Sequence, residues 1–301
     1  MRQDERVEFA DYEELVVCYE AGRRIVWVRL NSSPRPCFTV RLLRELRDVQ
    51  LRVLERSSCA DGPRYFVLAS AYADTFNLGG DLDLFERLIR GRDRASLQAY
   101  ADLCIDCVYG LHRELRTAGV TTVALVQGRA LGGGFEAALA CNVLIAERRA
   151  KLGLPEIKFN LFPGMGAASF LQRRIGAART EQLLVDGRPL PASSLAELGL
   201  IDGVAEDGAG EEAVYGYVRR AMDRQVGLDA IWRVMDQLQG VPRSELERVV
   251  HFWVDRAMES GEAALQTMRR LVNAQSRLTT ETLKECAVPL VLRHAELGTP
   301  S

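Results

Sequence analysis

Histidine is scarce. The chain has three in 301 residues, His112, His251 and His294, with none near another and none in the HExxH spacing that sets two imidazoles around zinc. No metal is expected. Long apolar runs are missing too: nothing approaches the ~20 residues a membrane-spanning helix needs. The opening MRQDERVEFADYEEL lacks the apolar stretch of a secretion signal. Nor does one sign of charge dominate. With 39 Lys+Arg against 41 Asp+Glu, a net of −2, there is no electrostatic footprint for nucleic acid or an anionic membrane surface. The seven cysteines (Cys18, Cys37, Cys59, Cys104, Cys107, Cys141 and Cys286) are odd in number and scattered, unlike a disulfide framework. Cys104 and Cys107 form a CxxC without a second pair; at i and i+3 of an apparent helix both thiols can face one core surface, and core packing is the expected use. The expectation is a cytoplasmic protein with neither nucleic acid nor membrane as partner.

What is present is an α/β pattern. Residues 14–20 (ELVVCYE) and 24–30 (RIVWVRL) are β-rich and separated by AGR, a hairpin signal with glycine in the turn. Val40, Leu42, Leu43, Leu46, Val49, Leu51 and Leu54 recur at helical spacing and predict a helix over about 39–57. YFVLAS (65–70) and TTVALV (121–126) are apolar without alternation, as strands covered on both faces are. A glycine-bearing loop (76–80) follows the first, then a long helical stretch to about 117. The second runs into a glycine loop and the next helix. VLIAE (143–147) and KLGL (151–154) are further short strands. This strand, strand, helix pattern, recurring without strong sequence repetition, predicts an α/β core. From about 209 onward strand signals stop. Residues 209–226, 228–239, 243–259, 261–275 and 279–296 have amphipathic helical patterns, punctuated by Gly227, Gly240, Pro242 and Gly261. The expected division is a core over 1–208 and an appended helical region over 209–301, large enough to lid a pocket or join copies.

Two loops carry the chemistry. Phe76-Asn77-Leu78-Gly79-Gly80-Asp81 follows YFVLAS, and Gly132-Gly133-Gly134-Phe135-Glu136 follows TTVALV. Glycines after two parallel strands can bring two backbone amides to one point, because glycine alone allows the close approach and unusual dihedrals required. The amide of the second loop also has a helix dipole behind it. Twenty residues after Glu136, Glu156 stands alone in the apolar GLPEIKFNLF. An acid in a first helical turn often only complements the dipole, and one after Pro155 would also suit a surface turn. Beside two exposed amides, the pair suits chemistry on a carbonyl compound: the amides hold an oxyanion while the acids move protons. Nucleotide motifs fail. GxxxxGK[ST] is absent, and Gly164-Met165-Gly166 reaches Ser169 where a dinucleotide fingerprint has glycine, after Pro163 instead of a strand.

These loops resemble those of the crotonase (enoyl-CoA hydratase/isomerase) superfamily. FNLGGD is similar to its FxxG(A/G)D loop and VQGRALGGGFEAALACNVLIAE to its second loop and helix; KLGLPEIKFNLFPGMGA and AELGLIDGV (196–204) follow in order. The resemblance covers about residues 14–206. It implies the crotonase ββα spiral with appended helices, a homo-oligomer (typically a trimer), and an oxyanion hole made by the Gly80 and Gly133 amides around a thioester carbonyl. It places Glu136 and Glu156 on the two acid positions of the hydratase branch, which implies hydration, dehydration or thioester hydrolysis. Within the superfamily, FNLGGDL, GLPEIKFNLFPGMGAASFL and the long helical C-terminal part are similar to diffusible-signal-factor synthases. That likeness implies a dehydratase and thioesterase acting on 3-hydroxyacyl chains carried by acyl carrier protein, releasing a cis-2-unsaturated fatty acid as a quorum-sensing signal. It also implies a regulatory sensor protein as partner. No cofactor is implied beyond the phosphopantetheine, or CoA, that carries the thioester. Asn77-Leu78 stand where ordinary hydratases have smaller residues, a hint against the usual CoA cradle. The alternative is an ordinary enoyl-CoA hydratase/isomerase of fatty acid metabolism; a non-catalytic scaffold is expected to have lost one of the acids.

On this reading Glu156 takes the C2 proton as general base and protonated Glu136 donates to the departing 3-hydroxyl, since coupled carboxyls share one proton near neutral pH. Either glutamate can then activate water. A long acyl chain needs an apolar tunnel. Leu161, Phe162, Met165, Trp253 and Leu271 are its candidate walls, each equally suited to core packing. Arg87, Arg90, Arg92 and Arg94 in ERLIRGRDR form a basic patch, open either to docking an acidic carrier protein or to a solvated helix end.

Overall fold

A computed structural model describes residues 11–285; Cys286, His294 and the stretch 286–296 of the last expected helix lie outside the described residues. The strands are β1 (Leu15–Glu20), β2 (Ile25–Leu30), β3 (Tyr65–Ser70), β4 (Thr75–Asn77), β5 (Thr121–Val126), β6 (Arg129–Leu131), β7 (Val143–Glu147), β8 (Lys151–Gly153), β9 (Leu190–Pro191) and β10 (Gly203–Ala205). β1, β2, β3, β5, β7 and β10 lie in that order in one sheet, and β4, β6, β8 and β9 in a second. The first is parallel except for the β1–β2 hairpin, and the second except for β8–β9. Each of β3, β5 and β7 is followed, one bend later, by its short partner β4, β6 or β8 in the other sheet. Helices then return the chain to the first sheet. Three such turns make the crotonase ββα spiral.

The helices are α1 (Val40–Ser57), α2 (Leu82–Arg90), α3 (Arg94–Tyr109), α4 (Leu115–Thr117), α5 (Gly133–Ala140), α6 (Ala167–Ile175), α7 (Ala177–Asp186), α8 (Ala192–Glu197), α9 (Gly210–Met222), α10 (Gln225–Gln239), α11 (Arg243–Met258) and α12 (Glu262–Glu285). The Thr39 hydroxyl caps α1 by accepting from the Leu42 amide at 2.9 Å, leaving Leu42, Leu43, Leu46 and Val49 on the buried face. Successive side chains of a strand point to opposite faces, so β3 and β5 serve two cores. Phe66, Leu68, Ala124 and Val126 join the large core with α1 and α3. Tyr65, Val67, Val123 and Leu125 pack beneath Val214, Val218 and Ala221 of α9. Both strands are wholly buried, which explains their unbroken apolar sequence.

Several boundaries differ from the sequence expectation. β4 and β6 lie where loops were expected, because three-residue strands carry no readable period. The helical stretch to 117 breaks at Gly91-Arg92-Asp93: Gly91 ends α2, and the Asp93 carboxylate caps α3 by accepting from the Ser96 amide at 3.0 Å. A π-helical turn (Gly110–Glu114) then joins α3 to α4. Gly227 falls inside α10 without interrupting it. The helices expected at 261–275 and from 279 are one, α12, since nothing in Ser276, Arg277 and Leu278 breaks a helix.

Candidate active site

β4 and β6 pair in parallel, so the glycine loops that leave them emerge side by side. A Cβ on Gly133 would stand 3.5 Å from both the Gly80 nitrogen and the Gly79 Cα, so the two loops lie in van der Waals contact, and 2.6 Å from the Met165 sulfur. A Cβ on Gly80 would fall 2.5 Å from Cζ of Phe85. The first loop is held from beneath. Buried Asn77 accepts at Oδ1 from the Gly79 N–H at 2.7 Å, the Phe38 N–H donates to the Gly79 carbonyl at 2.8 Å, and the Tyr100 hydroxyl donates to the Phe38 carbonyl at 2.8 Å. Asn77 therefore shapes the loop. Gly133 opens α5, where the first amides have no intrahelical acceptor. Both glycines line one cavity of about 100 Å³.

The two acids line the same cavity. Glu136, in the first turn of α5, is 1% exposed. Its Oε1 accepts from the Met165 amide at 2.8 Å and the Ala167 amide at 3.0 Å. Burial pushes its pKa up to about 7, against the pull of those two amides. Glu156 lies in the 3₁₀ turn Pro155–Phe159 after β8 and is also buried. Its Oε1 fills the space of a side chain at Gly132, 2.5 Å from where a Cβ would stand, and its Oε2 has no hydrogen-bond partner among the described residues. Burial and then the charge of Glu136 hold this carboxyl well above the ordinary carboxylate range. Both carboxyls are thus held above the ordinary range, Glu136 less so because two N–H groups stabilise its carboxylate. Those amides favour Glu136 as the partner that ionises first, where the expectation from sequence made Glu156 the base. The Met165 and Ala167 amides reach Glu136 only through the fold.

Residues 22–226 match the family model described as enoyl-CoA hydratase/isomerase. The chain belongs to that family. It is 28% identical over 211 residues to an enoyl-CoA isomerase/hydratase of Penicillium crustosum, covering 69% of this chain and 23% of that protein. It is 40% identical over 110 residues to the mitochondrial methylglutaconyl-CoA hydratase of Rattus norvegicus, covering 36% of this chain and 34% of that one. The matches to these and other curated relatives span from 20% to 65% of the relatives' lengths. Among solved structures, an enoyl-CoA hydratase from Bacillus halodurans superposes with a TM-score of 0.72 at 23% identity, covering 86% of this chain and 100% of that one. DspI of Pseudomonas aeruginosa does so with a TM-score of 0.66 at 22% identity, covering 89% and 98%. At these identities the structural likeness is one of fold.

In this chain Met165, Trp253 and Leu271 line the cavity with the acids and glycines. Leu161 and Phe162 do not. Past the left-handed turn at Asn160 (φ 57°), Leu161 is buried in the core and Phe162 stacks on Phe252 with ring centroids 5.4 Å apart. Sequence reasoning missed Phe85, Tyr100 and Cys104, which also line the cavity. Phe85 meets Tyr100 and Trp253 edge to face, each at 5.1 Å, and so links α2, α3 and α11. The stripe Leu97, Tyr100, Ala101, Cys104 at helical spacing was the available signal. Both thiols of the CxxC are buried in one core, as expected: Cys104 also lines the cavity, and Cys107 donates to the Leu43 carbonyl of α1 at 3.2 Å. In the basic patch, Arg90 bridges Glu86 and both oxygens of Glu262, and Arg94 binds Asp255 at 2.6 Å. These arginines clasp α11 and α12 over the cavity. Among the described residues no group of three or more His, Cys, Asp or Glu could hold a metal, and no helix is long and apolar enough to cross a membrane.

Proposed function

We propose that this chain dehydrates a 3-hydroxyacyl chain carried on acyl carrier protein and then hydrolyses the thioester, releasing a cis-2-unsaturated fatty acid signal of the diffusible-signal-factor type. The observation that carries the reading is a pair of buried carboxyls, Glu136 and Glu156, lining one cavity with Gly80 and Gly133. The thioester carbonyl accepts from the Gly80 and Gly133 N–H groups, each donor contributing ~3 kcal/mol to the enolate-like transition state. The Glu136 carboxylate takes the C2 proton. Glu156 gives its proton to the 3-hydroxyl, which leaves as water as the C2–C3 double bond forms. The pair is now inverted, with Glu136 protonated and Glu156 ionised. Glu156, now ionised, then takes a proton from water as it adds to the carbonyl. Glu136 protonates the departing thiolate, and both acids return to their starting states.

The apolar walls at Trp253 and Leu271, beneath α11 and α12, suit an acyl chain. A homo-oligomer is supported by α10, which buries no residue and exposes Val226, Ile231, Val234 and Leu238. The names of the relatives favour a second reading, hydration of an enoyl-CoA ester. Mass spectrometry of fatty acids released from 3-hydroxyacyl–acyl carrier protein, with Glu136→Ala as control, separates the two. A free cis-2-enoic acid that disappears in the variant supports the proposal. Turnover of crotonyl-CoA with no free acid would replace it by the second reading.

A further inference from the structure

The Gly80 N–H belongs to the peptide joining Gly79 to Gly80, and that peptide is held from behind. Residues 36–38 run beside the first glycine loop, with Phe38 paired in parallel to Gly80. The Leu78 N–H donates to the Pro36 carbonyl at 2.7 Å, and the Phe38 N–H to the Gly79 carbonyl at 2.8 Å. The next rung passes through a side chain. Tyr100 of α3 donates its hydroxyl to the Phe38 carbonyl at 2.8 Å and accepts from the Asp81 N–H at 3.4 Å. The same oxygen lies 3.4 Å from where a Cβ on Gly80 would stand. One hydroxyl thus ties the peptide after Gly80 to the residue that holds the peptide before it.

Filling space would require only the Tyr100 ring, which meets Phe85 edge to face. A buried hydroxyl costs free energy unless it is hydrogen-bonded, and here its donor and its acceptor are both spent on backbone around one glycine. Burial holds its pKa well above the ordinary value, so it remains a donor at neutral pH. A peptide whose carbonyl accepts a hydrogen bond has a more polarised N–H; the Phe38 N–H therefore strengthens the Gly80 donor as well as fixing it. Oxyanion donors work because they are aimed before the reaction begins. We infer that Tyr100 is a positioning residue of the oxyanion site, its hydroxyl fixing the Gly80 N–H through Phe38 and Asp81 without touching the substrate. The inference rests on the reading that the Gly80 and Gly133 amides hold the thioester carbonyl, and it is the same for either carrier.

The sequence supplies the probe. Consecutive glycines occur at three peptides, Gly79-Gly80, Gly132-Gly133 and Gly133-Gly134. Glycine labelled with carbon-13 at its carbonyl and with nitrogen-15 gives one NMR signal for each, in a spectrum selecting nitrogen-15 bonded to carbon-13. Gly133→Ala leaves the Gly80 signal alone and so assigns it. The ligands are the ketone analogues of butyryl-CoA and of dodecanoyl–acyl carrier protein, each with a methylene in place of the thioester sulfur, so that the carbonyl is kept and cannot be hydrolysed. In the unaltered chain a saturating analogue should move the Gly80 and Gly133 amide protons together. Tyr100→Phe keeps the ring and should keep the circular dichroism. It should displace the Gly80 signal before ligand is added and weaken its response to the analogue, while Gly133 responds in full. Its kcat should fall by about 10–10²-fold, with KM changed by less than about two-fold. 4-Aminophenylalanine in place of Tyr100 restores a donor at the same position and should recover both the Gly80 response and kcat. A Gly80 amide that neither analogue moves in the unaltered chain would end the oxyanion reading and the inference with it. Equal responses of both amides in the unaltered chain and in Tyr100→Phe, with kcat unchanged, would leave that reading standing and overturn the inference alone.

Discussion

Replacing Glu136 by glutamine should stabilise the fold while removing the chemistry. In the folded chain this carboxyl titrates at about 7 instead of the ordinary 4.5. Between those values the folded state retains a proton that the unfolded state has released, so the free energy of unfolding falls as pH rises across that window. At 1.36 kcal/mol per pH unit the loss amounts to ~3 kcal/mol once the pH exceeds 7. Glutamine presents a similar oxygen to the Met165 and Ala167 amides but has no charge to desolvate, so the variant escapes the loss. Urea unfolding at one protein concentration, from about pH 5 to pH 8, checks this. The variant should match the parent near pH 5 and exceed it by ~3 kcal/mol near pH 8, while turnover falls by about 10²–10⁴. Stability curves that run parallel across the range, or a variant weaker at pH 8, would refute burial as the dominant influence on this group.

Turnover of the unaltered protein should follow a bell in pH. Its acid limb should fall near pH 7 as Glu136 takes up a proton, and its alkaline limb should mark loss of the Glu156 proton; an unchanging rate from acid to alkaline pH would exclude the shared-proton scheme. Gly133→Ala sets a methyl 2.6 Å from the Met165 sulfur, beside the oxyanion site. The flexible thioether can move aside, so circular dichroism should be retained while kcat drops by about 10²–10³. Trp253→Ala empties a buried site against Phe85 and Gly164, with an expected cost of ~3–5 kcal/mol. Steady-state kinetics across chain lengths should show KM rising more for long acyl chains than for short ones. Equal KM changes at all lengths would remove Trp253 from the acyl wall.

How much of this was legible beforehand depended on the range of the interaction involved. Strands such as YFVLAS and TTVALV, and helix α1, could be read from the chain because apolar spacing reports the faces an element buries. The two glycine loops and the isolated acids could be read because close backbone approach and proton transfer each demand particular residue types. β4 and β6 could not, being held by each other and by β8 more than by any local preference. The division of Leu161 and Phe162 from Met165 was decided by the turn at Asn160. Local sequence thus determined which groups are available for catalysis. Only the tertiary structure set the two acids apart, because the amides of Met165 and Ala167, 29 and 31 residues beyond Glu136, favour its carboxylate while burial and the Glu136 charge raise the pKa of its neighbour.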